Sequence, residues 1–184
     1  GPMKAVDSTF ATPLGQRPLD HGVDLVIHSA TKAIGGHNDI SLGVIAGARE
    51  LLDWVWGFAV LQGANAGAFD AVGGLRGLRT LGVRLRQQSA TAEALAVVLE
   101  GDPRVGEVRH PSLASHPQHD LAQRQLRHSG GLLTFDLVGG LEASGTLEAY
   151  TDWVTTLGLR DVLRLMDASP FGAGAIKLER VLAR

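Results

Sequence analysis

The fold is decided by residues 23–47, which read VDLVIHSATKAIGGHNDISLGVIAG. Val23–His28 is a short run rich in β-branched residues, which is typical of a buried strand. Leu42–Gly47 is a second apolar run of the same kind. A polar loop, Ser29–Asp39, separates the two runs and contains the pair Gly35-Gly36. This order of strand, polar loop and strand predicts an α/β fold rather than a helical one.

Two helices are predicted after the second strand. The first covers Arg49–Val60 and carries Trp54, Trp56 and Phe58, whose aromatic rings we interpret as core or subunit-contact packing. The second covers Phe69–Glu100, where apolar residues recur at helical spacing. Four arginines lie between these apolar positions, and we interpret them as a solvated or interface face rather than a nucleic-acid site: Arg76, Arg79, Arg84 and Arg86.

A smaller module is predicted after Gly101-Asp102-Pro103, which ends the long helix. Strands are expected at Val105–His110 and Gly131–Leu137, with a short helix at Leu121–Arg127 between them. Apolar spacing predicts a last amphipathic helix over Leu159–Met166.

Composition is that of an ordinary globular protein. The 184 residues are 45% hydrophobic and 20% charged, and the net charge of −2 gives no reason to expect nucleic acid or an anionic membrane as a partner. The absence of cysteine excludes disulfides, thiolate nucleophiles and cysteine-based zinc sites. We find no signal peptide and no apolar run that could span a bilayer, so we predict a cytoplasmic protein. Gly1-Pro2 is interpreted as an expression scar before a natural start at Met3.

Lys32 directly follows the first predicted strand and its neighbours suggest chemistry. Lysine forms Schiff bases with carbonyl cofactors when its site is desolvated or holds another cation. Ser29 and Thr31 can donate hydrogen bonds to a phosphate without adding charge, and Gly35-Gly36 lets the backbone approach a ligand. From these residues alone, a solvated surface lysine is the commoner interpretation.

The longer context of Lys32 resembles the Cys/Met-metabolism enzymes that depend on pyridoxal phosphate (PLP). That family includes cystathionine γ-synthase, cystathionine γ- and β-lyases, methionine γ-lyase and O-acetylhomoserine sulfhydrylase. The resemblance covers roughly residues 4–143 and is carried by these stretches: Asp7–Pro13, Gln16–Leu19, Gly22–Lys32, Gly35–Asp39, Phe69-Asp70, Leu75–Leu81, Arg84, Ser115–His119, Leu121-Ala122, Arg124-Gln125 and Gly130–Phe135.

The resemblance implies the C-terminal part of a fold-type I PLP-dependent transferase. Residues 3–100 would be the end of the large PLP-binding domain, and residues 101–184 a small α/β domain that is truncated or divergent after about residue 144. Lys32 would hold PLP covalently and move protons at the α and β carbons of the substrate. Ser29 and Thr31 would contact the cofactor phosphate, and PLP would supply the electron sink.

The resemblance also implies that parts of the site are missing. Members of the family are much longer than this chain, and their phosphate loop, ring-stacking aromatic, pyridine-binding Asp and intersubunit Tyr and Arg would lie in an absent first half. Asp7 matches a different family position. The Arg that grips the substrate carboxylate is not recognisable, and Lys177 is a poor replacement for it because an ammonium cannot bind a carboxylate in the bidentate way of a guanidinium.

We therefore predict that a separate N-terminal-half chain completes the enzyme as a hetero-oligomer. The complex would perform β- or γ-elimination or replacement on a sulfur-containing or O-activated amino acid. Two other interpretations stay open: a non-catalytic interaction or regulatory subunit related to cystathionine γ-synthase-type enzymes, and a truncated remnant or expression fragment. No metal site is predicted, because the spaced pair His116 and His119 has no evident third ligand.

Overall fold

The computed structural model describes residues 1–138, which belong to two compact units. The first comprises Gly1–Arg86 and Gln125–Gly130, and the second comprises Gln87–Arg124 and the chain from Gly131 onward. The division predicted at residue 100 stays a prediction. Three expectations lie outside the described residues, namely the helix over Leu159–Met166, the divergence after residue 144 and the role of Lys177.

A three-stranded mixed sheet forms the centre of the first unit. Its strands are β1 (Ala5–Asp7), β2 (Leu25–Ser29) and β3 (Gly43–Gly47), in the order β1-β2-β3. β1 pairs with β2 in parallel, with Asp7 opposite Ile27, and β3 pairs with β2 in antiparallel. The two predicted strands are confirmed. The sequence pattern does not predict β1, because three residues are too few to show alternation.

Four α-helices lie within residues 1–138, together with a 3-10 turn at Pro18–His21. They are α1 (Thr12–Gly15), α2 (Arg49–Gln62), α3 (Ala68–Glu100) and α4 (His119–Gln125). The bounds of α2 and α3 agree with the predicted helices to within two residues. None of the helices in this part of the chain is both long and apolar enough to cross a membrane. The cytoplasmic location stays a prediction.

The described part of the second unit packs around a two-stranded antiparallel sheet. Its strands are β4 (Val105–Arg109) and β5 (Thr134–Leu137), both within the predicted ranges. The last turns of α3 pack against this sheet because their apolar residues recur on one helix face. The buried residues of this core are Ala96, Leu99, Val105, Val108 and Leu113.

Helix α2 leaves its large apolar side chains exposed. No residue of α2 is buried, and Trp54 is 82% exposed, so the core interpretation of these aromatics is wrong for the described chain. Phe69, at the start of α3, is 93% exposed. Large exposed apolar side chains are typical of surfaces that contact another protein. We use the name apolar helix surface for the exposed apolar side chains of α2 and of the first turns of α3: Trp54, Trp56, Phe58, Leu61, Phe69, Val72 and Leu75.

His28, in the central strand β2, is buried in a way that predicts a pH dependence of stability. Its Nδ1 atom is buried without a hydrogen-bond partner among the described residues. Burial lowers the pKa of His28, while the Ser8 backbone and the negative charge of Asp7 act in the opposite direction. The folded chain therefore holds His28 neutral at a pH where the unfolded chain already binds a proton.

We expect the free energy of unfolding to fall as the pH drops below about 6.5, the ordinary histidine pKa. The contribution of His28 is fully present above that pH and is lost as the pH approaches the lowered folded-state pKa, with a slope of at most about 1.4 kcal/mol per pH unit. Urea unfolding at pH 7.5 and 5.5 measures this difference. His28→Gln should reduce it, and the matched change at the exposed His21 should not. An unchanged pH dependence in His28→Gln would contradict the assignment.

Candidate functional site

The loop Ala30–Leu42, which we call the lysine loop, joins β2 to β3 and fixes the backbone of Lys32. The Lys32 N–H donates to the Ser29 carbonyl at 3.0 Å, and the Lys32 carbonyl accepts from the Gly36 N–H at 2.8 Å. The Gly35 N–H donates to the Ala30 carbonyl at 2.7 Å. Both backbone polar groups of Lys32 are therefore bonded within one tight turn, which holds its Cα in place.

The side chain of Lys32 contrasts with its fixed backbone. It is exposed, and its ammonium has no hydrogen bond or ion pair with any described residue. A lysine whose backbone is held while its amine is unoccupied can react with a carbonyl compound without first breaking a protein contact.

Thr31 and Ser29 use their hydroxyl groups differently. The Thr31 Oγ1 accepts the Leu42 N–H at 3.0 Å, and the Thr31 N–H donates to the Leu42 carbonyl at 3.2 Å. These two bonds join the ends of the lysine loop. The half-buried Ser29 donates its N–H to Thr9 Oγ1 at 2.8 Å, but its hydroxyl has no partner among the described residues. The Ser29 hydroxyl is thus available for a ligand, whereas the Thr31 hydroxyl is used to join the two ends of the lysine loop.

Asp7 lies at the same edge of the sheet as Ser29 and Lys32. Carboxyl ends of parallel strands meet at one edge, and β1 and β2 both end there. Asp7 pairs with Ile27, and side chains alternate along a strand, so Asp7 and Ser29 face the same side of the sheet. Hydrogen bonds from the side chain and N–H of Thr9 lower the pKa of Asp7, which keeps its carboxylate ionised.

Sequence reasoning missed Asp7, which the family resemblance set aside. The sequence does not show the parallel pairing of β1 with β2. That pairing brings Asp7, which lies 25 positions before Lys32 in the sequence, to the edge of the sheet at which the lysine loop starts. An acidic residue at the end of an extended, apolar stretch was the only signal present in the sequence.

Arg84 is the exception to the predicted solvated or interface face of the four α3 arginines, since Arg76, Arg79 and Arg86 are exposed as predicted. It is only 3% exposed, and its guanidinium reaches the lysine loop. Nη1 donates to the Ala33 carbonyl at 2.7 Å, and Nη2 donates to the Ile34 carbonyl at 3.1 Å. The same Nη2 bonds the Gly77 carbonyl at 2.8 Å, and Nε bonds Thr80 Oγ1 at 3.0 Å. Arg84 therefore ties the turn that follows Lys32 to α3.

Glycines of α3 let the helix approach the lysine loop closely. A methyl group built on Gly77 would overlap the Ile34 carbonyl oxygen and lie 2.5 Å from that of Gly35. A methyl group built on Gly73 would overlap the side chain of Ile40. The loop rests directly on the helix backbone, so a side chain at Gly77 has no room.

His37 and Asp39 hold the geometry of the loop. The His37 Nδ1 bonds the Gly35 carbonyl at 2.7 Å, and Asp39 forms an ion pair with Arg76. The hydrogen bond from Arg76 lowers the pKa of Asp39, and the positive charge of Arg76 lowers it further.

The spaced histidines of the second unit are engaged with their own loop. His119 Nδ1 bonds the Pro111 carbonyl at 3.0 Å, and His116 Nδ1 accepts the Gln118 N–H at 3.1 Å. Within residues 1–138 no group of three or more His, Asp or Glu is arranged to hold a metal ion.

Comparison with known proteins relates this site to one family. The model of the family described as Cys/Met metabolism PLP-dependent enzyme matches residues 2–163. The chain is 42% identical over 144 residues to cystathionine gamma-synthase 1, chloroplastic, of Arabidopsis thaliana, covering 78% of this chain and 26% of that protein. It is 41% identical over 145 residues to the L-methionine gamma-lyase of Pseudomonas putida, covering 78% of this chain and 36% of that protein.

Solved structures agree with the sequence comparison. The cystathionine gamma synthase of Xanthomonas oryzae pv. oryzae, in complex with aminoacrylate and cysteine, matches with a TM-score of 0.77 at 42% identity, over 80% of this chain and 38% of that chain. The predicted α/β fold of fold-type I is confirmed. The chain spans less than half the length of these relatives. That it corresponds to their C-terminal half stays a prediction.

Proposed function

Because the chain belongs to the Cys/Met-metabolism family of PLP-dependent enzymes, we propose that it is the lysine-bearing part of an enzyme acting on amino acids. The reaction is β- or γ-elimination or replacement, of the C–S lyase or synthase type, on a sulfur-containing or O-activated amino acid. The strongest support is the lysine loop, which fixes the backbone of Lys32 and leaves its amine exposed and without a partner within residues 1–138.

The groups at the carboxyl edge of the sheet fit PLP chemically. PLP requires an amine for covalent attachment, donors for its phosphate and an acidic partner for its pyridine nitrogen. Lys32 supplies the amine, and Ser29 supplies a hydroxyl with no described partner. Thr31 can contribute its hydroxyl proton, whose present bond to the Leu42 carbonyl is long at 3.5 Å. Asp7 supplies a carboxylate that the hydrogen bonds from Thr9 keep ionised.

These residues then have separate tasks in the reaction. PLP, when bound, withdraws electrons from the substrate carbon attached to the amino group. The Lys32 amine would hold the cofactor and would serve as the acid and base that moves protons at the α and β carbons of the substrate. Asp7 would be the partner of the pyridine nitrogen, and its negative charge would favour the protonated form of that nitrogen.

A second polypeptide completes the site in this proposal. The exposure of the apolar helix surface supports the binding of such a partner there. The partner is a chain corresponding to the N-terminal half of the family, and the working enzyme is a hetero-oligomer.

Covalent labelling tests the proposal. The chain is co-expressed with the part of the P. putida L-methionine gamma-lyase that it does not match, and the mixture is incubated with PLP and reduced with borohydride. Peptide mass spectrometry then locates the pyridoxyl group among the three lysines of the sequence, Lys4, Lys32 and Lys177. We expect labelling at Lys32, together with visible absorption that Lys32→Ala abolishes and Lys4→Ala preserves.

A complex that forms but carries no Lys32-dependent absorption would contradict the catalytic proposal. That result would instead support the interaction or regulatory subunit, because the apolar helix surface would then have a partner without a working cofactor site.

A further inference from the structure

Arg84 is a buried cation without a counterion among the described residues. It is 3% exposed, and its hydrogen bonds go to three backbone carbonyls and the Thr80 hydroxyl rather than to a carboxylate. Burial lowers its pKa, yet a guanidinium stays protonated in proteins. Burying such a charge is costly, and a leucine or methionine would fill the same volume at lower cost. The residue type is therefore explained by the groups that it binds.

Those groups are the carbonyls that the lysine loop cannot satisfy by itself. Within the turn, the carbonyls of Ser29, Ala30 and Lys32 accept backbone N–H groups of the same loop. The carbonyls of Ala33 and Ile34 instead accept from Arg84. Since Ile34 is buried, its carbonyl would lack a partner if the guanidinium were removed.

The guanidinium also reaches α3 with the same atoms. Nη2 is shared between the Ile34 and Gly77 carbonyls, and Nε bonds Thr80. A planar group with several fixed donors can join two backbone segments in this way, whereas an ammonium on a flexible chain cannot bond all of these acceptors at once.

We propose that Arg84 is a positioning residue for Lys32. It acts through the backbone carbonyls of Ala33 and Ile34 and sets the direction from which the Lys32 amine meets the cofactor. This inference rests on the proposed function for the identity of the cofactor, but the ordering of the loop is a property of the chain itself and can be tested without PLP.

Hydrogen–deuterium exchange of the full chain, without cofactor or partner, provides the first test. In Arg84→Lys we expect the amides of Gly35 and Gly36, which close the turn around Lys32, to exchange at least about tenfold faster. The amides that pair β2 with β3 should keep their wild-type rates. Arg86→Lys is the matched control, because Arg86 is exposed two positions further along α3 and should leave all of these rates unchanged.

A second measurement separates positioning from general support of the fold. In the complex with PLP, borohydride labelling at Lys32 relative to Lys4 should fall several-fold in Arg84→Lys, with a shift of the visible absorption maximum, and stay at the wild-type ratio in Arg86→Lys. Arg84→Gln buries no charge and should also show faster exchange at Gly35 and Gly36 and lower labelling of Lys32. It keeps the test decisive if Arg84→Lys does not fold.

Two results would overturn the inference. One is wild-type exchange at Gly35 and Gly36 in both Arg84 variants. The other is faster exchange throughout residues 1–86 in both, which would make Arg84 a general core residue. If the loop loosens as expected but wild-type Lys32 takes no PLP label, the proposed function fails while the ordering role of Arg84 stands.

Discussion

Replacing Gly77 with alanine is expected to lower the free energy of unfolding by about 3 kcal/mol, at the upper end of the usual cost of overpacking. The new methyl group would overlap the Ile34 carbonyl oxygen, and the backbone of Gly35 would also have to move. Backbone atoms cannot rotate away as a flexible side chain can, so the lysine loop would have to lift from α3. Urea unfolding followed by circular dichroism measures the loss, and labelling of Lys32 by PLP should decrease with it.

Gly57→Ala is the control for Gly77→Ala. Gly57 lies in α2, and a methyl group there would have no neighbour within 4 Å. The higher helix propensity of alanine should stabilise the chain by roughly 0.5–1 kcal/mol. The close approach of the lysine loop to α3 would be contradicted if Gly77→Ala stabilised the chain by the same amount.

Asp7→Asn should reduce the turnover of the reconstituted complex by at least about a hundredfold, the usual effect of removing one preorganised electrostatic partner. Asparagine keeps the size of the side chain and can still accept the Thr9 N–H, but it removes the negative charge. The pyridine nitrogen would then lose the charged partner proposed for it. Steady-state kinetics with an O-activated amino acid measures the change.

Asp24→Asn provides the comparison for Asp7→Asn. Asp24 precedes β2 at its opposite end, where its carboxylate accepts the Lys4 N–H at 2.7 Å. Asparagine can keep that bond, so turnover should stay near the wild-type value. If Asp7→Asn were equally harmless, the role proposed for Asp7 would be wrong.

The elements predicted correctly are those whose signal is local. β2 and β3 are short apolar runs, and α3 shows apolar residues at helical spacing, all within their own residues; the lysine motif lies between β2 and β3. β1 has only three residues. It pairs with β2 through residues that are far apart in the sequence, such as Ala5 and Leu25, so no short stretch of sequence reveals the pairing. The position of Asp7 in the candidate site depends on that pairing.

The burial of Arg84 has a signal in the sequence. Arg84 lies three residues after the buried Leu81 and seven after Gly77, and both spacings place it on the face of α3 that meets the lysine loop. The interpretation of Arg84 as a solvated residue follows from its charge alone and not from its position on the helix. For α2 the difficulty is of another kind, since its aromatic residues follow a pattern typical of packing but find no packing partner within the described chain.

The closed ends of the lysine loop have a consequence for the thermodynamics of cofactor binding. Thr31 and Leu42 are bonded to each other, so the conformational entropy of a ten-residue segment, residues 32–41, is reduced when the chain folds. A ligand that arrives later meets an ordered loop and loses little affinity to ordering it. Calorimetry should therefore show a small unfavourable entropy of association, and Thr31→Val should make that entropy more unfavourable.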